Sequence, residues 1–230
     1  MKVLVTRPVE DGAEIARRLA EMGHEALLAP LLTVQFHDGA PLALAGVQAV
    51  LATSANGVRA LARRTVARDI PLLAVGPQTA EAAKAAGFIR VRNAGGDAVA
   101  LAEAVPRWAD PAAGALLHAA GAESGGGLAQ ALAAHGFEVR RMELYRVEAA
   151  RDLPAAAGRA LRENAVQAVL FFSPRSARVF AECVARAGLS TAGLVAGCIS
   201  ANTAAALQGL PFAEVRIAAA PNQDALLACL

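Results

Sequence analysis

Short apolar runs alternate with amphipathic stretches along the whole chain. Runs such as 2–5, 49–52 and 168–172 are built mainly from Val, Leu and Ala. They are too short for helices and lack the polar alternation of a half-exposed strand, which is the pattern of parallel strands buried on both faces. The stretch 10–22 predicts a helix. Ile15, Leu19 and Met22 share one face, and Gly23 supplies a left-handed stop. Residues 25–28 predict a second strand that ends at Pro30. Further strands are expected at 72–75, 89–91, 115–118, 138–141, 195–199 and 214–217. Helices are expected from Ser54 to about Ala67, from Thr79 to Gly87, from Asp97, and from Leu128 to Ala134. Three more should start near Ser173, Thr203 and Gln223. Alternating strands and helices predict an α/β fold with parallel sheets.

The pattern repeats at long range. Val47-Gln48-Ala49-Val50-Leu51 recurs as Val166-Gln167-Ala168-Val169-Leu170, a displacement of 119 positions. Each copy leads into a serine, Ser54 and Ser173. Gly76-Pro77-Gln78-Thr79-Ala80 is echoed by Ser200-Ala201-Asn202-Thr203-Ala204, and Leu31-Leu32-Thr33-Val34 by Leu144-Tyr145-Arg146-Val147. Periods this long do not describe a solenoid. They predict two similar domains, each flavodoxin-like with five parallel strands, joined by a two-stranded linker at 31–37 and 144–149. Two chain crossings make the first domain discontinuous, 1–34 with 150–230, and the second continuous, 37–143. The cleft between two such domains is the expected ligand site.

Composition narrows the partners. The chain is 56% hydrophobic, enough for two cores, and its net charge of +2 comes without any Lys/Arg run. Nucleic acid is not an expected partner. No apolar run reaches the roughly 20 residues of a membrane span, so no membrane association is expected. Met1-Lys2-Val3-Leu4-Val5 runs straight into Thr6-Arg7, which does not read as a signal peptide. Cys183, Cys198 and Cys229 are odd in number and widely spaced. They predict reduced, mostly buried thiols in a cytoplasmic protein, with no metal site. The four histidines show neither ligand spacing nor a nucleophile partner.

Candidate chemistry clusters where strands end and helices begin. Thr6 and Arg7, Ser54 and Asn56, Gly76 and Thr79, the loop from Gly121 to Gly127, Ser173, Arg175 and Ser176, and Ser200 and Thr203 all fall there. Free backbone N–H groups and the positive helix end make such places anion sites. Taken singly, each Ser or Thr reads better as an ordinary N-cap worth about 1 kcal/mol. The glycine-rich loop 121–127 has neither the dinucleotide fingerprint nor a P-loop ending. A backbone nest and a plain flexible loop both fit it. Tyr145, the only tyrosine, lies in the second linker strand. A phenol can donate its proton to a leaving hydroxyl; an aromatic packing the hinge is the other reading.

Taken in order, these segments resemble the uroporphyrinogen-III synthase family. The resemblance is carried by Val3-Leu4-Val5-Thr6-Arg7-Pro8, Pro30-Leu31, Thr53-Ser54-Ala55-Asn56-Gly57-Val58 and Val75-Gly76-Pro77-Gln78-Thr79-Ala80. It continues through Leu144-Tyr145-Arg146, Phe171-Phe172-Ser173-Pro174-Arg175-Ser176-Ala177 and Ser200-Ala201-Asn202-Thr203-Ala204. It implies two α/β domains and the substrate hydroxymethylbilane, a linear tetrapyrrole with eight carboxylates. The product would be uroporphyrinogen III, formed with loss of water and inversion of ring D and without a cofactor or metal; a monomer is expected. By position, Tyr145 corresponds to the tyrosine proposed to assist departure of the hydroxyl, and Ser54, Thr79, Ser173 and Thr203 to cleft-lining positions. One departure is the short tail after the last strand, which leaves room for only a brief final helix. A two-lobed small-anion binding or sensor protein without catalysis is the alternative. A nucleotide-sugar transferase is weakened by the missing glycine fingerprint.

Overall fold

The computed structural model describes residues 1–230, apart from the side chains of Val9, Glu10 and Asp11. The chain forms two compact units, Met1–Thr33 with Glu148–Leu230, and Val34–Val147. The first holds β1 (Lys2–Val5), α1 (Val9–Glu21), β2 (Glu25–Leu28), α6 (Ala155–Arg162), β9 (Ala168–Phe171), α7 (Pro174–Ala187), β10 (Val195–Cys198), α8 (Ala201–Ala205), β11 (Glu214–Ile217) and α9 (Gln223–Leu227). The second holds β4 (Val47–Ala52), α2 (Ala55–Arg64), β5 (Leu72–Ala74), α3 (Pro77–Ala85), β6 (Val91–Asn93), α4 (Ala98–Ala104), β7 (Ala115–Gly121) and α5 (Gly127–Ala133). β3 (Leu32–Phe36) and β8 (Val139–Ala149) each run across the boundary between the units.

The parallel-sheet α/β class is as expected. The first sheet has the order β11-β10-β9-β1-β2, and the second β3-β8-β7-β4-β5-β6. Numbered along its own chain, the first sheet reads 2-1-3-4-5, the flavodoxin-like order. The second, leaving β3 aside, reads 5-4-1-2-3 along its own chain, because the second unit enters the same plan at a different strand. The repeat explains this difference. The βαβαβ run β4-α2-β5-α3-β6 stands where β9-α7-β10-α8-β11 stands in the other sheet, and β7-α5-β8 stands where β1-α1-β2 does. Both sheets therefore share one spatial plan.

Four details differ from the sequence reading. The second sheet has six strands rather than five, because β3 joins its edge. β3 runs antiparallel to β8: Ala150 N–H donates to Leu31 O and His37 N–H to Leu144 O, both at 2.8 Å. The expected strands at 138–141 and 144–149 are one strand, β8. Pro30 breaks β2 from β3, but no proline or glycine stands at the matching place in β8. The strand expected at 89–91 forms at Val91–Asn93 instead, leaving Ile89 76% exposed. The helix α6 has no counterpart among the expected elements.

Each sheet is buried on both faces, as its apolar runs require. In the second unit Val50, Ala52, Leu72, Ala74, Leu117 and Ala119 pack on one face, and Ala49, Leu51, Leu73 and Leu116 on the other. In the first, Phe171 meets Phe180 edge to face with centroids 5.1 Å apart. Cys183, Cys198 and Cys229 are free thiols. Among the described residues no helix is long and apolar enough to cross a membrane.

Candidate active site

In the second sheet the winding reverses between β4 and β7, and in open α/β sheets ligands bind beyond the strand carboxyl ends at such a point. Beyond β4, Ser54 is extended and caps α2, with its Oγ accepting from Gly57 N–H at 3.0 Å. Gly57 is required to be a glycine. A Cβ there would lie 2.5 Å from the carbonyl oxygen of Ala119 on β7. The first turn of α2 thus sits directly on the end of β7.

β8 brings Tyr145 to the same place. Ala120 pairs with Glu143, but Gly121 pairs with Tyr145, so Leu144 is an extra residue in β8. Such a bulge breaks the alternation of side chains. Leu144 and Tyr145 are consecutive, yet both are buried, at 0% and 7% exposure, in one core cluster. The Tyr145 Oη then lies 2.7 Å from Ser54 Oγ. Gly121, Ala122, Glu123, Ser124, Tyr145 and Val147 line an open recess of about 170 Å3. That is below the roughly 300–1,000 Å3 of a drug-sized ligand site.

The glycine-rich loop is tied down at its start. Gly121 N–H donates to Ser124 Oγ at 3.0 Å, Ala122 N–H to Tyr145 O at 2.8 Å, and Ser124 N–H to Gly121 O at 3.0 Å. Arg141 Nη2 donates to Gly121 O at 2.7 Å. His118, on β7 and 2% exposed, pairs its Nε2 with Thr53 Oγ1 at 3.2 Å. Burial first, and the Arg141 charge second, lower its pKa to about 4, so the imidazole is neutral at physiological pH. Thr53, His118 and Arg141 do not stand out in the sequence as site residues, and Ser124 does so only as part of the glycine-rich loop. Arg141 sits in an Arg-Arg pair that reads as a solvated face, and its neighbours come from β7, twenty residues away in sequence.

The structure places the other expected residues as follows. Gly76 caps α3, with Pro77 in the first turn, and Thr79 in that turn is 5% exposed. Asn56 Oδ1 accepts from Arg59 at 3.0 Å. In the first unit, Thr6 is fully buried and donates through Oγ1 to Leu170 O at 2.8 Å, which ties β1 to β9. Arg7 lies over the Phe172 ring at 5.0 Å and reaches Gln223 Oε1 at 3.4 Å. Ser173 caps α7 and Ser200 caps α8, and their hydroxyls meet those of Ser176 and Thr203, each at 3.1 Å. Arg175 is half-buried in the first turn of α7. Among the described residues no group of three or more His, Cys, Asp or Glu is placed to hold a metal ion.

Two parallel-sheet units, one carrying a hydrogen-bonded phenol at its switch point, define a two-unit α/β protein. The chain belongs to the uroporphyrinogen-III synthase family: the family model described as uroporphyrinogen-III synthase HemD matches residues 13–228. The family makes it a lyase of tetrapyrrole biosynthesis, one that cyclises its substrate with loss of water. Among solved structures, the chain is similar to uroporphyrinogen-III synthetase from Helicobacter pylori, with 19% identity and a TM-score of 0.66, covering 99% of this chain and 96% of that one. It is also similar to a mutant uroporphyrinogen III synthase from the extremely thermophilic bacterium Thermus thermophilus, with 19% identity and a TM-score of 0.54, covering 100% and 95%. At that identity these likenesses speak for the fold. No curated protein sequence matches the chain.

Proposed function

We propose that the protein closes hydroxymethylbilane to uroporphyrinogen III with inversion of ring D, and that Tyr145 is the general acid. The observation that carries the acid is the Tyr145 phenol, placed at the switch point of the second sheet and lining an open recess. The phenol O–H gives its proton to the hydroxyl of ring A. The C–O bond breaks with its electron pair on oxygen, water leaves, and an azafulvenium cation remains. Ring D attacks that cation through its substituted carbon. The bond from that carbon to the methylene linking it to ring C then breaks, the methylene bonds instead to the free α-carbon of ring D, and that carbon loses its proton. No electron passes to an outside acceptor, so the chemistry itself requires no redox cofactor.

Regiochemistry is then a matter of positioning. Backbone N–H groups at the starts of α2 and α3, near Ser54, Asn56, Gly76 and Thr79, are assigned to substrate carboxylates, with the loop from Gly121 beside Tyr145. Arg7, Arg175 and the helix starts at Ser173, Ser176, Ser200 and Thr203 are assigned to further carboxylates, and buried Thr6 to holding Arg7's strand end. We further propose a cytoplasmic monomer. Its free thiols are what a reducing compartment maintains, and light scattering measures the mass directly.

The test is the product isomer. Hydroxymethylbilane closes unaided to the symmetric type I macrocycle. With the protein present, chromatography of oxidised products should show mainly type III, formed faster than the blank. Only type I at the blank rate would sink the reading and favour the two-lobed binder.

A further inference from the structure

The helix starts of the two repeats differ in one hydroxyl. Ser54, Ser173 and Ser200 all cap a helix that follows a parallel strand, and each accepts the N–H of the residue three positions on. At Ser173 that residue is Ser176, and at Ser200 it is Thr203. Both supply a hydroxyl that pairs with the capping one at 3.1 Å. At Ser54 it is Gly57, which has no hydroxyl and, with Ala119 O so close, no room for one. Ser54 Oγ instead meets Tyr145 Oη at 2.7 Å.

We propose that Ser54 is the positioning residue of Tyr145, donating its own hydroxyl proton to the phenol oxygen while accepting from Gly57 N–H. The proposal deepens the synthase reading and rests on it. The direction of the bond decides its use. A phenol that donates to Ser54 has its proton engaged there and is idle as an acid. A phenol that accepts from Ser54 keeps its proton for the substrate. When the phenol O–H breaks and its proton goes to the departing hydroxyl, the phenolate left behind accepts a hydrogen bond already in place. Such bonds to charged groups are the stronger kind. The start of α2, ten residues long, adds the positive end of its dipole at the same side. The proton lost from the ring carbon on closure restores the phenol. Gly57 N–H fills one lone pair of Ser54 Oγ and so helps to orient the hydroxyl.

Tyr145 is the only tyrosine, so the tyrosine doublet of the Raman spectrum reports one phenol. The two components of that doublet change relative intensity with whether the phenol oxygen accepts or donates. In Ser54→Ala the higher-frequency component should weaken relative to wild type, and in Ser54→Thr it should not. Ser173→Ala, which removes a matching cap from the first unit, should leave the doublet unchanged. Ser54→Ala should lower kcat for hydroxymethylbilane roughly 10–100-fold with KM nearly constant, as for loss of a hydrogen bond to a charged group. Added to Tyr145→Phe, it should cause no further loss, because the two act as a unit. An unchanged doublet in Ser54→Ala would overturn the proposal, and so would an equal loss of kcat on both backgrounds. If wild-type protein forms only type I product at the blank rate, the synthase reading fails and the catalytic part of the proposal with it. The Raman comparison still decides the hydrogen bond on its own.

Discussion

The ring of Tyr145 fills the space that a side chain at Gly121 would need: a Cβ there would lie 2.7 Å from Cζ and 3.0 Å from Oη. The two residues are register partners across β7 and β8, at the bulge. Gly121→Ala should therefore push the ring aside. Overpacking of this kind costs about 1–3 kcal/mol. Turnover should fall at least tenfold while the fold persists, read by product formation alongside the thermal midpoint. Wild-type turnover in Gly121→Ala would show that the ring position is irrelevant to the chemistry.

Tyr145→Phe removes the proton donor and keeps the ring. General acid catalysis contributes about 10²–10⁴-fold, so turnover should drop by that order while product binding, followed by calorimetry, stays close to wild type. A variant with nearly full turnover would make Tyr145 a packing aromatic.

His118 makes the protein acid-sensitive in a definite window. Its ordinary pKa of 6.5 is lowered to about 4 by burial, then by Arg141. The unfolded chain takes up the proton near 6.5 and the folded one only near 4. Between those values the unfolded state binds more protons, so stability is full above the window and falls as pH drops through it. The loss amounts to at most about 3 kcal/mol. Thermal midpoints measured from about pH 7 down to about pH 4 should decline, and His118→Gln should flatten the decline. An equal slope in both proteins would assign the acid sensitivity elsewhere.

The second unit should fold when its boundaries include the end of β8. Leu144 and Tyr145 are buried in its core, as is Val34 on β3. A fragment 34–147 should unfold cooperatively on heating. A fragment 37–143 lacks all three side chains and should melt several degrees lower or fail to fold. Equal melting of the two fragments would contradict the role assigned to β8.

Chelation should leave turnover unchanged, since proton transfer and positioning suffice for the proposed reaction. Loss of activity in EDTA that added metal restores would refute that.

Much of the architecture is legible along the chain. The two-faced strands announce themselves as unbroken apolar runs, because a strand covered on both sides has no polar position. Ser54, Ser173 and Ser200 are legible as helix starts, because capping is a local interaction between a side chain and the N–H three residues on. The long repeat marks two equivalent units, and the strand-end positions of the candidate residues follow from it.

Local pattern does not say what each hydroxyl faces. Ser54 and Ser173 occupy matching places in the repeat, yet only Ser54 meets a phenol. That difference needs Gly57 to let α2 touch β7, a bulge to turn Tyr145 inward, and Gly121 to leave space for its ring. Each of these is a contact between segments far apart in sequence, settled by sheet register and close packing. The neutral state of His118 has the same origin, since burial lowers its pKa and burial is a property of the folded sheet. Strands and helix caps come from short-range chemistry and can be read residue by residue. Which side chains those caps and strands bring within reach of one another depends on long-range packing, and so emerges only when the chain is folded.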